Sequence, residues 1–140
     1  MFGRGRSDTL GVVRRYVDAV NSRDFDAMSD MLHDDFSFID SRGYRISGRE
    51  NCIAAHKAFF ELEDSFSFHI DNYTMRDDLV LMRGHSKARD PRLASARLWT
   101  ARVRDGKMLF WQNFGDQKSP ALAHLLMPEE ASRELTELSF

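Results

Sequence analysis

The chain has 140 residues, 42% of them hydrophobic, and carries 20 Lys and Arg against 22 Asp and Glu for a formal charge of −2. At roughly 100–200 residues per domain, that length predicts one domain with a real core and no room for a second. The charge balance excludes a protein built to grip nucleic acid electrostatically. The longest apolar runs, Leu79–Met82 and Met108–Trp111 among them, are four residues each, far short of the ~20 that cross a bilayer, so no membrane role is expected. No apolar leader is read after Met1, and a cytoplasmic location is the default expectation. Cys52 is the single cysteine, which excludes an intrachain disulfide or a Cys-based zinc cluster and predicts a small buried hydrophobe.

Residues 1–7 read as a flexible arm, 8–127 as a single domain and 128–140 as a helical tail. From Asp8, the apolar residues Leu10, Val13, Tyr16, Val17 and Val20 recur at three- and four-residue steps, the stripe of one buried helix face. Phe25, Met28, Met31 and Leu32 repeat it over a second, short helix, with Asp24 or Asp26 near its N-terminus. The period then drops to two, with Phe36, Phe38 and Asp40 on one parity. Ser41-Arg42-Gly43 reads as a turn. Ser47-Gly48-Arg49-Glu50 fits a capping box opening a third helix, whose inward residues are Cys52, Ile53, His56, Phe59 and Phe60. Four strands follow, at 66–74, 79–89, 94–104 and 107–116. Asp105-Gly106 between the last two is a strong hairpin signal. After Pro120 comes a short helix with Leu122, Leu125 and Leu126. Beyond Pro128 a polar helix carries Leu135 and Leu138.

This order predicts an α+β domain: a cone-shaped, strongly bent antiparallel sheet, read as a meander, wrapped around the N-terminal helices. Such a sheet has a second face to cover, and a homodimer through the sheet is the expected way to cover it.

Tyr16, the run His33-Asp34-Asp35-Phe36, Asp40 and Gly48-Arg49-Glu50 together resemble the nuclear transport factor 2-like superfamily, in its SnoaL-like and ketosteroid-isomerase-like branch. The resemblance spans roughly residues 8–116. Its best part, Arg15–Gly43, runs without a gap and keeps the separation of Tyr16 and Asp40. It implies a cone with a pocket at its mouth, a fold that hosts isomerases, cyclases, dehydratases, epoxide hydrolases and non-catalytic binding domains. In the isomerases, the residue matching Asp40 is the general base and the one matching Tyr16 donates to the enolate oxygen, with a protonated second Asp completing the oxyanion hole. Here the match to that second acid falls near Trp99, and the supporting tyrosines match Leu32 and His56.

The residues carry their own reading beside this one. Asp40 on the Phe36 and Phe38 face is a carboxylate among apolar neighbours, suited to act as a base; alternatively the strand ends at Ile39 and Asp40 is a turn former. Tyr16 on a buried face needs a hydrogen-bond partner, in a pocket or in the core. His56 points inward as a proton shuttle or as a neutral buried ring with one bond. Trp111 and Asn113 share a parity that, with Trp99, suits a small apolar oxygenated ligand, or simply a packed strand.

Residues 76–107 hold an excess of five basic charges. They read as a solvated face paired to the acidic tail, or, through Arg97, as an anion site. His69, His85 and Asp71 lack metal-ligand spacing, so no metal and no cofactor is expected. Two functions follow from the reading: a cofactor-independent isomerase, cyclase or dehydratase with Asp40 and Tyr16 catalytic and Trp99, Trp111, Asn113, His56 and Phe38 binding substrate, or a non-catalytic ligand-binding or dimeric interaction domain.

Overall fold

The computed structural model describes residues 6–94, 96–115 and 121–133. Helices α1 (Arg6–Ser22) and α2 (Phe25–Met31) form the predicted hairpin. Val13, Tyr16, Val17 and Val20 are buried along α1, as the three- and four-residue spacing requires. Asp24 caps α2 by accepting the Ala27 N–H at 3.0 Å, the usual answer to the orphan amides of a helix start.

The sheet runs through β1 (Leu32–Ile39), β2 (Tyr44–Ser47), β3 (Ser67–Arg76), β4 (Leu79–Lys87), β5 (Ala96–Arg104), β6 (Lys107–Phe114) and the two-residue β7 (Ser132–Arg133), with helices α3 (Arg49–Leu62) and α4 (Leu122–Leu126). The strand order is β3-β4-β5-β6-β1-β2-β7. Strands β3 to β6 form the expected antiparallel meander. Asp105 and Gly106 both take positive φ at the β5–β6 hairpin, as a type I′ turn demands.

The structure differs from the sequence reading in several places: α1 already begins at Arg6, inside the expected arm 1–7, and Leu32 opens β1 where the spacing puts it in the second helix. β1 joins β6 in parallel, Phe38 beside Trp111, so the sheet is mixed. The strand β2, antiparallel to β1, falls where only a turn and a cap are read. The N-cap of α3 is Gly48 at φ 94°, with no side-chain cap bond; Ser47, still in β2, turns its hydroxyl to Ser37 instead. The segment after Pro128 supplies β7, paired to β2, where a helix is expected; Leu135 and Leu138 lie outside the described residues.

Gly84 is required by packing. A bulge between Ile70 and Asn72 brings the chain so close that a Cβ at Gly84 would stand 1.9 Å from the His69 carbonyl oxygen. The helices cover one face of the sheet, where Val80, Met82, Trp99, Ala101 and Trp111 form the core. The other face exposes Leu81 and Leu98 and buries the cross-strand neighbours Thr100 and Gln112, each with one side-chain oxygen that has no partner. Among the described residues no helix is long and apolar enough to cross a membrane.

Candidate functional site

Between the helices and the inner sheet face lies a cavity of about 730 Å³ of atom-free space, counted out to open solvent at its mouth. α1 contributes Tyr16 and Val20; α3 contributes Ala55, His56, Phe59 and Phe60; the sheet contributes Phe68, Arg97, Trp99, Trp111 and Asn113. The walls are held by aromatic packing. Phe68 stacks on Trp111 at 5.3 Å and 18°, and Tyr16 tilts against Trp111 at 5.2 Å. Phe38, Ser41, Phe66, Leu93, Leu122 and Leu126 complete the lining.

Two polar groups are fixed by their bonds. The Trp111 indole N–H donates to Asn113 Oδ1 at 2.9 Å. An indole N–H can only donate, so it settles which Asn113 atom is oxygen and leaves the amide NH2 without a protein partner among the described residues. Deeper, Tyr16 Oη and His56 Nε2 stand 2.7 Å apart, and His56 Nδ1 lies 2.6 Å from the Cys52 carbonyl oxygen. Cys52 and His56 are one helical turn apart on α3, and that spacing makes this backbone anchor possible. Burial drives the Tyr16 pKa far above its ordinary value, with the nearby Cys52 thiol adding to the effect. His56 keeps some surface on the cavity, but its ring sits among apolar neighbours; that desolvation lowers its pKa, offset in part by the bond to the Cys52 carbonyl. Cys52, fully buried and donating to the Ile46 carbonyl at 3.3 Å, has its thiol pushed up to about 12 by burial, which makes it an inert core residue.

Asp40 is only 1% exposed, yet it is not part of the cavity lining. Oδ1 accepts the N–H groups of Arg42 and Tyr44 at 2.8 and 3.0 Å, and Oδ2 accepts the Ala123 N–H at 2.9 Å. The first two bonds close the β1–β2 turn. The third caps α4, whose own N-cap residue, Ala121, offers no side chain for the task. This geometry matches the turn-forming reading of Asp40, with both carboxylate oxygens accepting backbone amides. Six of the seven residues singled out in sequence therefore meet at one cavity: Tyr16, Phe38, His56, Trp99, Trp111 and Asn113. Asp40 stands apart, holding the helix whose Leu122 and Leu126 wall that cavity.

Arg97 also lines the cavity, its guanidinium donating to Ser86 Oγ at 3.1 Å and to the Arg92 carbonyl at 2.9 Å. Neighbouring cations pair locally, Arg92 with Asp90 and Arg102 with Asp78. Leu122 and Leu126 carry no site signal in sequence beyond their four-residue spacing, Phe59 reads only as an inward residue of the third helix, and Phe68 only as part of a strand. The described residues hold no group of His, Cys, Asp and Glu arranged for a metal ion.

Three solved structures place this geometry among known folds. A proposed SnoaL-like polyketide cyclase from Shewanella denitrificans superposes with a TM-score of 0.71 at 19% identity, covering 81% of this chain and 94% of that one. An LEH-like epoxide hydrolase from M. tuberculosis does so with a TM-score of 0.67 at 18% identity, covering 88% and 98%. A proposed ketosteroid isomerase from Kribbella flavida gives 0.65 at 17% identity, covering 96% and 95%. These identities establish the shared fold and leave the reaction to the residues of this site. No curated protein matches the sequence. The SnoaL-like domain, in contrast, matches residues 13–111, most of the chain, and the protein belongs to the SnoaL-like domain family.

Proposed function

We propose that the cavity binds a small, apolar, oxygenated molecule and that the protein moves a proton on it without a cofactor, in chemistry of the isomerase, cyclase or dehydratase kind. The observation that carries this reading is the Tyr16–His56 pair at 2.7 Å, a hydrogen-bonded pair of titratable groups set in a mostly apolar cavity. Positioned acid–base groups contribute typically ~10²–10⁴-fold in rate, and an apolar surround strengthens their electrostatic effect on a reacting oxygen. Asn113 supports the reading from β6, because its spare amide NH2 suits a ligand carbonyl. The test is exchange of the α-protons of 2-tetralone in deuterated buffer, followed by NMR. The wild type is expected to accelerate it, and Tyr16→Phe and His56→Gln to lose about 100-fold; equal rates in all three proteins contradict the reading.

A second reading, ligand binding without turnover, is favoured by one observation: the carboxylate that matches the isomerase base is occupied by backbone amides. Tight binding of 2-tetralone with no exchange would support it. For the outer sheet face, where Leu81 and Leu98 are exposed, we propose a second copy of the chain as the cover; a monomer in sedimentation at micromolar concentration contradicts that.

A further inference from the structure

The polarity of the Tyr16–His56 hydrogen bond follows from the other end of the ring. A carbonyl oxygen has no proton to give, so the 2.6 Å contact between His56 Nδ1 and the Cys52 carbonyl requires the proton on Nδ1. A neutral imidazole then carries no proton on Nε2, which must accept, and the Tyr16 hydroxyl is the donor across the 2.7 Å bond. The lowered proton affinity of the buried ring keeps it in this neutral form at neutral pH. With its single proton committed to His56, Tyr16 offers only its oxygen lone pairs to the cavity it lines.

We infer that Tyr16 meets the ligand as a hydrogen-bond acceptor, so that the cavity selects molecules bearing an acidic hydroxyl, phenols and enols, with His56 as the terminal proton acceptor. The inference rests on the cavity reading above and assigns its ligand class. It reverses the role that the isomerase resemblance implies for Tyr16, in which the hydroxyl donates to an enolate. The proton step balances within the pair. The ligand O–H proton passes to Tyr16 Oη while the Tyr16 proton passes to His56 Nε2; the ligand becomes an oxyanion and His56 an imidazolium, with Nδ1–H still on the Cys52 carbonyl. Tyrosinate is never formed, which fits the strong upward shift of the Tyr16 pKa. The reverse transfer can return the proton to a carbon of the ligand, and that is tautomerisation.

The experiment has two arms. Nitrogen-resolved NMR of the protein, with the His56 signals assigned by their loss in His56→Gln, is expected to show a protonated Nδ1 and a bare Nε2. A proton on Nε2 at neutral pH overturns the inference whatever the ligand. Calorimetric titration with 2-naphthol and 2-methoxynaphthalene then reads the ligand preference. The naphthol is expected to bind about three- to tenfold more tightly, the size of one net hydrogen bond, and Tyr16→Phe should bring that ratio toward one. Equal affinities in the wild type, or an unchanged ratio in Tyr16→Phe, overturn the inference while leaving the cavity reading intact. Binding of neither compound overturns the cavity reading itself, and the ligand assignment with it.

Discussion

Asp40 and the Tyr16–His56 pair are both polar groups sunk in apolar surroundings, and they differ in what satisfies them. Asp40 spends both oxygens on backbone amides of the β1–β2 turn and of α4, so its accepting capacity is taken up by structure. Tyr16 and His56 spend one bond on each other and one on the Cys52 carbonyl, and both residues line the cavity. A buried polar group becomes available for chemistry only where its hydrogen-bonding capacity exceeds what the fold demands of it. By that measure the proton-handling centre proposed above belongs to α1 and α3, while Asp40 at the end of β1 ties the β1–β2 turn to α4.

The largest effect expected from breaking the comparison is on Asp40. Asp40→Ala orphans three backbone N–H groups and should cost about 4 kcal/mol of stability in denaturant titration. The Ala123 amide should lose its protection from hydrogen exchange along with it. At the other centre, Tyr16→Phe should lower 2-tetralone exchange by about 100-fold, about 2.7 kcal/mol of barrier, with the protein still folded. Asp40→Asn is milder, because the amide still accepts at Oδ1 and fails only toward Ala123; about 1–2 kcal/mol is expected, with exchange kinetics of α4 as the readout.

The smallest effect is on pH. The His56 pKa is lowered on folding from 6.5, so the unfolded chain binds the extra proton first, and stability falls as pH drops below about 6.5. One such group gives a slope of at most about 1.4 kcal/mol per pH unit. His56→Gln should flatten that slope between pH 6.5 and 5. Glu63, whose pKa is held down by the Ser65 hydroxyl and the Asp90 amide, and Asp90, held down by Arg92, lose stabilisation only below their ordinary values of 4.5 and 3.8.

Local rules made much of this legible. The α1 stripe put Tyr16 inward, the helical spacing of α3 put His56 beside Cys52, and strand parity put Trp111 and Asn113 on one face. The Asp105-Gly106 turn and the meander follow from residues adjacent in the chain. What stayed hidden depends on distance along the chain. The parallel pairing of β1 with β6 joins strands separated by five other elements. Nothing in Tyr44–Ser47 marks four residues as a strand until β1 offers them an edge. Asp40 shows the limit most clearly. Parity identified it as a carboxylate in an apolar setting, but the amide that occupies Oδ2 belongs to Ala123, 83 residues later, and no spacing rule reaches that far.

The most direct test of the account measures 2-tetralone exchange in Tyr16→Phe and Asp40→Asn side by side, under conditions where circular dichroism shows both folded. The account predicts that Tyr16→Phe loses about 100-fold while Asp40→Asn stays within a few-fold of the wild type. Loss of exchange in Asp40→Asn with a normal rate in Tyr16→Phe would contradict it, and would return the general base to the end of β1.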